Sequence, residues 1–302
     1  MSGKRLGPDF IVAGAAKCGT TSIDQVLRGH PELILPYGIK ETYYWVRPKA
    51  VLNNGIGYRE KDIVTDYRNY ERLFNWGASQ AGKLKGEVCN GYMYYYNETI
   101  PNVRQTIGDT KIIIVLRNPV ARAFSGYLHL IRDGIIDETF RQAIEREEAR
   151  IRKGYWWAFH LYSVGLYYDA VYAYKKNFSN VAVYLFEDFV RDKAAFYREM
   201  FAFLEVEKNY PLDMGAHKNR TGLPKNPMLW RAVRRDTIVK RFAKQLLPKR
   251  IQSAIKSHMD RNIVKPEMEG ELRLELWNRY LPDVERLSKL LERDLVELWG
   301  QE

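Results

Sequence analysis

The octet GAAKCGTT, residues 14–21, directly follows the apolar run FIVA of residues 10–13. Its two glycines and its last threonine fit the nucleotide-binding template G-x-x-x-x-G-K-[ST]. The lysine is displaced: Thr20 stands at the template's lysine position, and Lys17 lies earlier, inside the loop. Glycines let backbone amides turn toward an anion, and a helix that follows adds its positive N-terminal end. The stretch therefore predicts a strand, an anion-binding loop and a helix, with a phosphate ester as ligand.

Further along the chain, short apolar runs alternate with segments of helical spacing. The clearest run is KIIIVL, residues 111–116, which is typical of a central parallel strand covered on both faces. Pro119 suits the first turn of the helix that follows. The alternation predicts an α/β fold, a P-loop-like parallel sheet flanked by helices, in residues 9–210. Residues 211–302 should be a mostly helical C-terminal portion of the same domain, without strands. We expect strands at 9–13, 84–89, 111–116 and 180–186, and helices at 20–28, 162–176 and 192–204.

The bulk composition points to an anionic partner. The chain has 302 residues, 46% of them hydrophobic, which is enough for a full core. Its net charge is +11, and the segment Leu229 to Lys256 carries nine basic residues against one acid, or +8 of that total. Docking on the core is the ordinary role of such a segment, and contact with an anionic glycan or a membrane surface is the alternative. We expect no nucleic acid partner.

Cysteine content and hydropathy bear on the compartment. Two cysteines in a chain of this length, Cys18 and Cys89, are no disulfide framework. The N-terminus lacks an apolar segment suited to secretion, and no stretch approaches the ~20 apolar residues that a membrane span needs. We therefore expect a cytoplasmic protein.

The end of the strand at residues 111–116 argues against a metal-dependent nucleotidase. A P-loop kinase or ATPase needs an aspartate at such a strand end to hold Mg²⁺. This strand instead ends in Arg117, whose planar guanidinium suits a phosphate dianion. Ser125 follows on the next helix, near enough to bind the same group. The pattern predicts a phosphate that is neutralised by side chains, without a metal.

With these motifs the chain resembles the sulfotransferases that use 3′-phosphoadenosine 5′-phosphosulfate (PAPS), especially bacterial members and heparan-sulfate sulfotransferase domains. The motifs are GAAKCGTTSI, HPEL, KETYYW, RNPVARAFSGY, LFEDFVRD and RYLPDVERLSKLLERDL, spread over residues 9 to about 297. The resemblance implies a PAPS donor, a PAP product and a carbohydrate or glycosylated small-molecule acceptor. It implies 5′-phosphosulfate binding by Lys17, Cys18, Gly19, Thr20, Thr21 and Ser22. It implies 3′-phosphate binding by Arg117 and Ser125, and a loop over the nucleotide that contains Arg220, Gly222 and Lys225.

The resemblance also implies two catalytic residues. Charge grows on the bridging oxygen as sulfur leaves the 5′-phosphate, and Lys17 suits its stabilisation. Glu41 occupies the general-base position of the heparan-type enzymes. His129, His160 and His217 are alternative bases, although a lone histidine is more often structural. Heparan-type enzymes carry a Glu-Lys pair where this chain reads Glu87-Val88, so Glu87 is at most a second carboxylate.

Some features leave alternatives open. Arg122 has no assigned role and suits a surface ion pair. The aromatic clusters at 92–96 and 155–159 could stack on adenine or on a sugar, but core packing explains most such residues. A P-loop kinase or NTPase, which requires Mg²⁺, is one alternative function. A non-catalytic basic protein that binds an anionic glycan or membrane through residues 229–256 is the other.

Overall fold

The computed structural model describes residues 7–46, 63–75, 82–211, 223–224, 263–264 and 266–301. A five-stranded sheet lies at its centre, with all strands parallel, in the order β2-β3-β1-β4-β5. An antiparallel pair, β6 and β7, lies apart from it. The strands are β1 (Phe10–Gly14), β2 (Leu33–Ile34), β3 (Leu84–Val88), β4 (Lys111–Leu116), β5 (Val181–Leu185), β6 (Leu223–Pro224) and β7 (Ile263–Val264).

Helices connect and flank the strands, as the α/β prediction requires. Two 3₁₀ turns, Trp157–Phe159 and Ser163–Gly165, precede the helix that leads into β5. No helix in the described part of the chain is long and apolar enough to cross a bilayer. The helices are α1 (Thr20–Gly29), α2 (Tyr67–Arg72), α3 (Gly91–Tyr94), α4 (Tyr96–Thr106), α5 (Pro119–Arg132), α6 (Phe140–Glu145), α7 (Glu147–Arg152), α8 (Tyr168–Asn177), α9 (Phe186–Arg191), α10 (Lys193–Leu204), α11 (Gly270–Leu291) and α12 (Leu295–Gly300).

The core forms around β1 and β4, the two strands whose sequences predicted it. Every residue of β1 is buried, and so are the five residues that follow Lys111 in β4. β1 lies between β3 and β4, and Phe10 packs directly over Gly86 of β3. A Cβ on Gly86 would lie 1.9 Å from the Phe10 ring, so this crossing requires glycine. Burial on both faces explains the lack of polar alternation in these strands.

Helix boundaries follow capping residues. Asn118 caps α5, accepting hydrogen bonds from the amides of Val120 and Ala121, and Pro119 is the first residue of the helix, as predicted. Asp192 caps α10 through the amide of Ala195. Asn118 fixes where the chain turns from β4 into α5, at the carboxyl edge of the sheet, and Asp192 fixes where α9 ends and α10 begins.

The structure corrects two sequence-based expectations. The helix predicted from residue 162 begins at Tyr168, because the Glu147 carboxylate binds the amides of Tyr162 and Ser163 and holds them in a separate turn. Strands also occur where none was predicted. β2, β6 and β7 have two residues each, too few for any periodicity to be visible in the sequence.

The C-terminal helix α11 packs onto the sheet domain along one stripe. Its buried residues recur every three or four positions, as expected of an amphipathic helix. Tyr280 donates a hydrogen bond to the carbonyl of Tyr162, and the Asp283 carboxylate accepts from the amides of Tyr167 and Tyr168 at the start of α8. The stripe consists of Leu272, Leu276, Tyr280, Val284 and Leu287.

Candidate active site

The loop between β1 and α1 forms a concavity at the carboxyl edge of the sheet. Gly14 and Gly19 have φ angles of +149° and +82°, and Gly19 is the N-cap of α1. A Cβ on Gly14 would lie 2.8 Å from the Met93 side chain, so a larger residue does not fit there. Lys17 also lies in the left-handed region, at φ +69°, where non-glycine residues are uncommon. The amides of Ser22 and Ile23 donate to the Gly19 carbonyl, and those of Thr20 and Thr21, which precede these bonds, are the ones suited to a bound anion.

The Lys17 side chain is a cation in a poorly hydrated place. Burial lowers its pKa from 10.5 to about 8, and the neighbouring cations Arg132, Arg117 and Arg122 act in the same direction, while Asp133 opposes them. Its ammonium has no hydrogen-bond or ion-pair partner among the described residues. A bound anion would supply the missing counter-charge, so this lysine is suited to binding one.

Lys40 connects the loop to the segment that carries Glu41. Its ammonium lies 3.3 Å from the Thr20 hydroxyl, 3.5 Å from the Thr21 hydroxyl and 3.2 Å from Oε1 of Glu41. The structure thus brings together the two threonines of the loop and the predicted base, which are about twenty positions apart in sequence. A second cation stands beside the anion site, in addition to Lys17.

Three donors orient the Glu41 carboxylate. Oε1 accepts from Lys40 and, at 2.7 Å, from the side-chain amide of Asn90. Oε2 accepts from the Tyr43 hydroxyl at 2.9 Å. Asn90 follows β3 and Cys89, so the sheet edge itself places this donor. The carboxylate is half-buried and held in one orientation, which is what proton abstraction at a fixed position needs.

The buried carboxylate of Glu87 holds the residues that follow Glu41 in place. This carboxylate is fully buried and accepts hydrogen bonds from Thr42, Trp45, Tyr70 and Tyr92. Burial raises the pKa of Glu87, and the four donors oppose the shift. Because it is enclosed by these groups, it is not exposed to a bound acceptor. The expectation of a second reactive carboxylate is wrong at this position, and the observed role is to fix the residues next to Glu41.

Arg117 and Ser125 line a second part of the site, a cavity of about 830 Å³ between α5 and the C-terminal helices. The Arg117 guanidinium lies 4.8 Å from the centre of the Phe186 ring and donates to the Lys17 carbonyl at 3.3 Å. The Tyr167 hydroxyl donates to the carbonyl of Arg117 at 3.0 Å. The guanidinium is therefore fixed between the β1–α1 loop and the cavity, and Ser125 lines the same cavity.

Other predicted residues lie elsewhere. Arg122 is buried and donates to the Leu161 carbonyl, so the expected surface ion pair is wrong. His129 interacts with Arg132 and Asp133 at the end of α5. His160 is buried against the Tyr94 hydroxyl, and burial lowers its pKa to about 4, so its imidazole is neutral at neutral pH. Four predicted residues, and the segment 229–256, lie outside the described residues: His217, Arg220, Gly222 and Lys225.

Sequence reasoning missed three residues of the site. Asn90 could have been found, because polar residues directly after parallel strands collect at the ligand-binding edge of such sheets. Arg273 and Trp277 line the Arg117 cavity from α11. They are more than 140 positions away from Arg117 in the chain, and no local pattern signals that α11 folds back over this site.

A solved structure shares this architecture along its whole length. The crystal structure of a sulfotransferase from Alicyclobacillus acidocaldarius superposes with a TM-score of 0.74 at 31% sequence identity. The match covers 97% of this chain and 99% of the bacterial one. The fold described above is therefore a sulfotransferase fold, as the sequence motifs implied.

Curated proteins match over shorter stretches. The membrane-associated sulfotransferase kil1 of Dictyostelium discoideum is 35% identical over 120 residues, 40% of this chain and 22% of that protein. Carbohydrate sulfotransferase 15 of Mus musculus is 26% identical over 170 residues, 46% of this chain and 30% of its own length. The chain thus matches between about a fifth and a third of these relatives. The model of the sulfotransferase family matches residues 8–210, which contain the phosphate loop, Glu41 and Arg117. This chain belongs to the sulfotransferase family.

Proposed function

We propose that this protein transfers the sulfuryl group of PAPS to a hydroxyl or amine of an acceptor, with a carbohydrate or glycosylated metabolite as the acceptor class. The observation that carries the proposal is the position of the Lys40 ammonium, which contacts both the Thr20 hydroxyl and the Glu41 carboxylate. Through this contact the carboxylate lies beside the threonines of the β1–α1 loop. A base next to a phosphosulfate cradle is what sulfuryl transfer requires. Membership of the sulfotransferase family supports the same reaction class.

The donor binds across the two halves of the site. Backbone amides at residues 17–21 and the first turn of α1 bind the 5′-phosphosulfate. Arg117 and Ser125 bind the 3′-phosphate, and the cavity beyond them takes the nucleoside. The Arg117 guanidinium is held by the Phe186 ring and the Lys17 carbonyl, so it loses little conformational freedom on binding. It therefore favours a nucleotide that carries a 3′-phosphate on its ribose.

The chemical step is an in-line displacement at sulfur. The acceptor oxygen or nitrogen forms a bond to sulfur while the bond from sulfur to the bridging oxygen breaks, and the electron pair stays on the 5′-phosphate of the product. Lys17 stabilises the charge that grows on that oxygen. Glu41 takes the proton of the acceptor. Lys40 lies between the Glu41 carboxylate and the loop, where it neutralises the transferring group.

The test is a transfer assay with ³⁵S-labelled PAPS, purified protein and a panel of sugar, phenol and amine acceptors, in EDTA. The proposal expects labelled product with at least one acceptor, formed together with an equal amount of 3′-phosphoadenosine 5′-phosphate (PAP). In a parallel assay with ATP and Mg²⁺ in place of PAPS and EDTA, consumption of ATP would instead support a P-loop kinase. A protein that shows no turnover and binds no nucleotide, but binds a glycan in low salt and loses it in high salt, would support the non-catalytic alternative.

A further inference from the structure

A small cavity lies beside the β1–α1 loop, and Asn90, which binds Glu41, is part of its wall. Its volume is about 160 Å³, and its wall includes backbone of the loop at Ala15 and Ala16. Tyr94 and Tyr96 contribute aromatic rings, and Leu166 lies at its rim with 40% of its surface exposed. A protein cavity of roughly 150 Å³ holds one benzene molecule, so this space takes about one six-membered ring. A single pyranose ring fits this space, with its substituents toward the rim.

The orientation of the Asn90 amide connects this cavity to the proposed base. A carboxylate only accepts hydrogen bonds, so the atom that faces Glu41 at 2.7 Å must be the NH₂ group. The amide oxygen then points away from Glu41. It is buried and has no hydrogen-bond partner in the part of the chain that the structure describes. A buried amide oxygen without a partner costs about 1–3 kcal/mol, which a ligand hydroxyl in the cavity would recover.

The charges around the cavity select against acidic ligands. No described residue that lines it is a lysine or an arginine, and the one ionised group on its wall is Asp169. That carboxylate is at the exposed edge and is 3.3 Å from Arg286. A uronate or sulfated ring would lose hydration here without gaining a counter-ion, whereas a neutral ring would not. The apolar wall and the two tyrosine rings suit the C–H face of such a ring.

We infer that this cavity binds one neutral, hydroxyl-bearing sugar ring as the acceptor, and that Asn90 positions it. The Asn90 oxygen accepts from a ring hydroxyl while its NH₂ group holds Glu41, so one side chain aligns acceptor and base. The Tyr94 side chain is held in place by a 2.7 Å hydrogen bond between its hydroxyl and the His160 ring. The inference rests on the proposed function, and it narrows the acceptor to neutral glycosides.

The experiment titrates PAP-saturated protein with methyl glucoside, methyl galactoside, methyl N-acetylglucosaminide and methyl glucuronide, detected by saturation-transfer NMR. We expect a neutral glycoside to bind and the glucuronide not to bind. Leu166→Trp, which fills the rim, should abolish binding. Ile151→Trp is the matched control, because Ile151 is also 40% exposed and lies outside the cavity, and it should bind normally.

Two Asn90 variants separate positioning from folding. Asn90→Leu should lose glycoside affinity by about tenfold or more while PAP affinity and melting temperature stay unchanged. Asn90→Asp keeps an acceptor oxygen but repels Glu41, so it should bind the glycoside and fail to sulfate it. Absence of neutral glycoside binding in protein that binds PAP, preference for the glucuronide, or full binding by Leu166→Trp would overturn the inference and leave the proposed function standing. Failure to bind PAP would instead remove the proposed function.

Discussion

The Lys40 ammonium lies 3.3 Å from the Thr20 hydroxyl and 3.2 Å from the Glu41 carboxylate, so the β1–α1 loop and the proposed base share one cation. Below them, Glu87 fixes Thr42 and Trp45 to β3. A sheet edge, a buried carboxylate and a bridging lysine therefore hold the site together.

Lys17→Met should reduce turnover by at least about 10²-fold, because the charge that grows on the leaving oxygen loses the lysine proposed to stabilise it. The measurement is kcat in the labelled-PAPS assay. Lys111→Met is the matched control: Lys111 is a half-buried lysine at the opposite end of β4, paired with Glu205 at 3.0 Å, and its loss should leave kcat unchanged. Equal loss in both variants would assign the effect to stability.

The affinity for PAP should fall as the pH rises through about 8. Burial lowers the pKa of Lys17 from 10.5 to about 8, so the free protein carries the full charge below that value and loses it above. A bound dianion favours the protonated form, and affinity then declines by at most about tenfold per pH unit. Calorimetry between pH 6.5 and 9.5 measures this. Lys17→Arg stays charged and should show a flat profile; the same decline in that variant would contradict the assignment.

Arg117→Ala should weaken PAP binding about 10- to 100-fold, the cost of one or two charge-assisted hydrogen bonds. The loss should be selective: adenosine 5′-phosphosulfate, which lacks the 3′-phosphate, should bind the variant as it binds the native protein. Arg104→Ala is the control, since Arg104 also lies over a phenylalanine ring, Phe178, at 5.7 Å, outside the cavity. Equal losses for both nucleotides would show that Arg117 does not bind the 3′-phosphate.

Glu41→Gln should leave PAP affinity within about twofold of the native value and lower kcat by about 10² to 10⁴. The amide keeps the size of the carboxylate but cannot take the proton. Single-turnover assays with PAPS give the rate, and calorimetry gives the affinity. Glu205→Gln, at the other lysine-carboxylate pair, is the control. Turnover at the native rate in Glu41→Gln would exclude this residue as the base.

Glu87→Leu should lower the free energy of unfolding by several kcal/mol, because it leaves four buried donors without their acceptor, at about 1–3 kcal/mol for each one that stays unsatisfied. Glu87→Gln should cost less, since an oxygen remains and hydroxyl groups can rotate to accept. Urea unfolding measures both. Native stability in Glu87→Leu would mean that this cluster does not anchor the Glu41 segment.

Sequence alone predicted the parts of the fold that depend on local pattern. β4 was predicted at its observed bounds because five apolar residues in succession leave a buried strand as the simplest reading. The loop between β1 and α1 followed from its glycines, and the start of α5 from Asn118-Pro119. Each of these features is decided within a few residues.

The parts that the sequence left out depend on distant contacts. The turn before α8 exists because Glu147, some fifteen residues earlier, binds its amides. In sequence Glu87 is a possible second carboxylate of the site, and only the packing of Thr42, Trp45, Tyr70 and Tyr92 around it shows a buried anchor. The Asn90 contact with Glu41 crosses 49 positions. Pairings of this kind follow from the packed fold and have no local signal.

We propose that this site binds an adenosine nucleotide through both a 5′-phosphate and a 3′-phosphate. The most direct test is calorimetric titration with PAP and with ATP, each in EDTA and in Mg²⁺. We expect PAP to bind in both buffers with the same affinity, about tenfold or more tighter than ATP. Tight ATP binding that requires Mg²⁺, with no heat from PAP, would contradict the account.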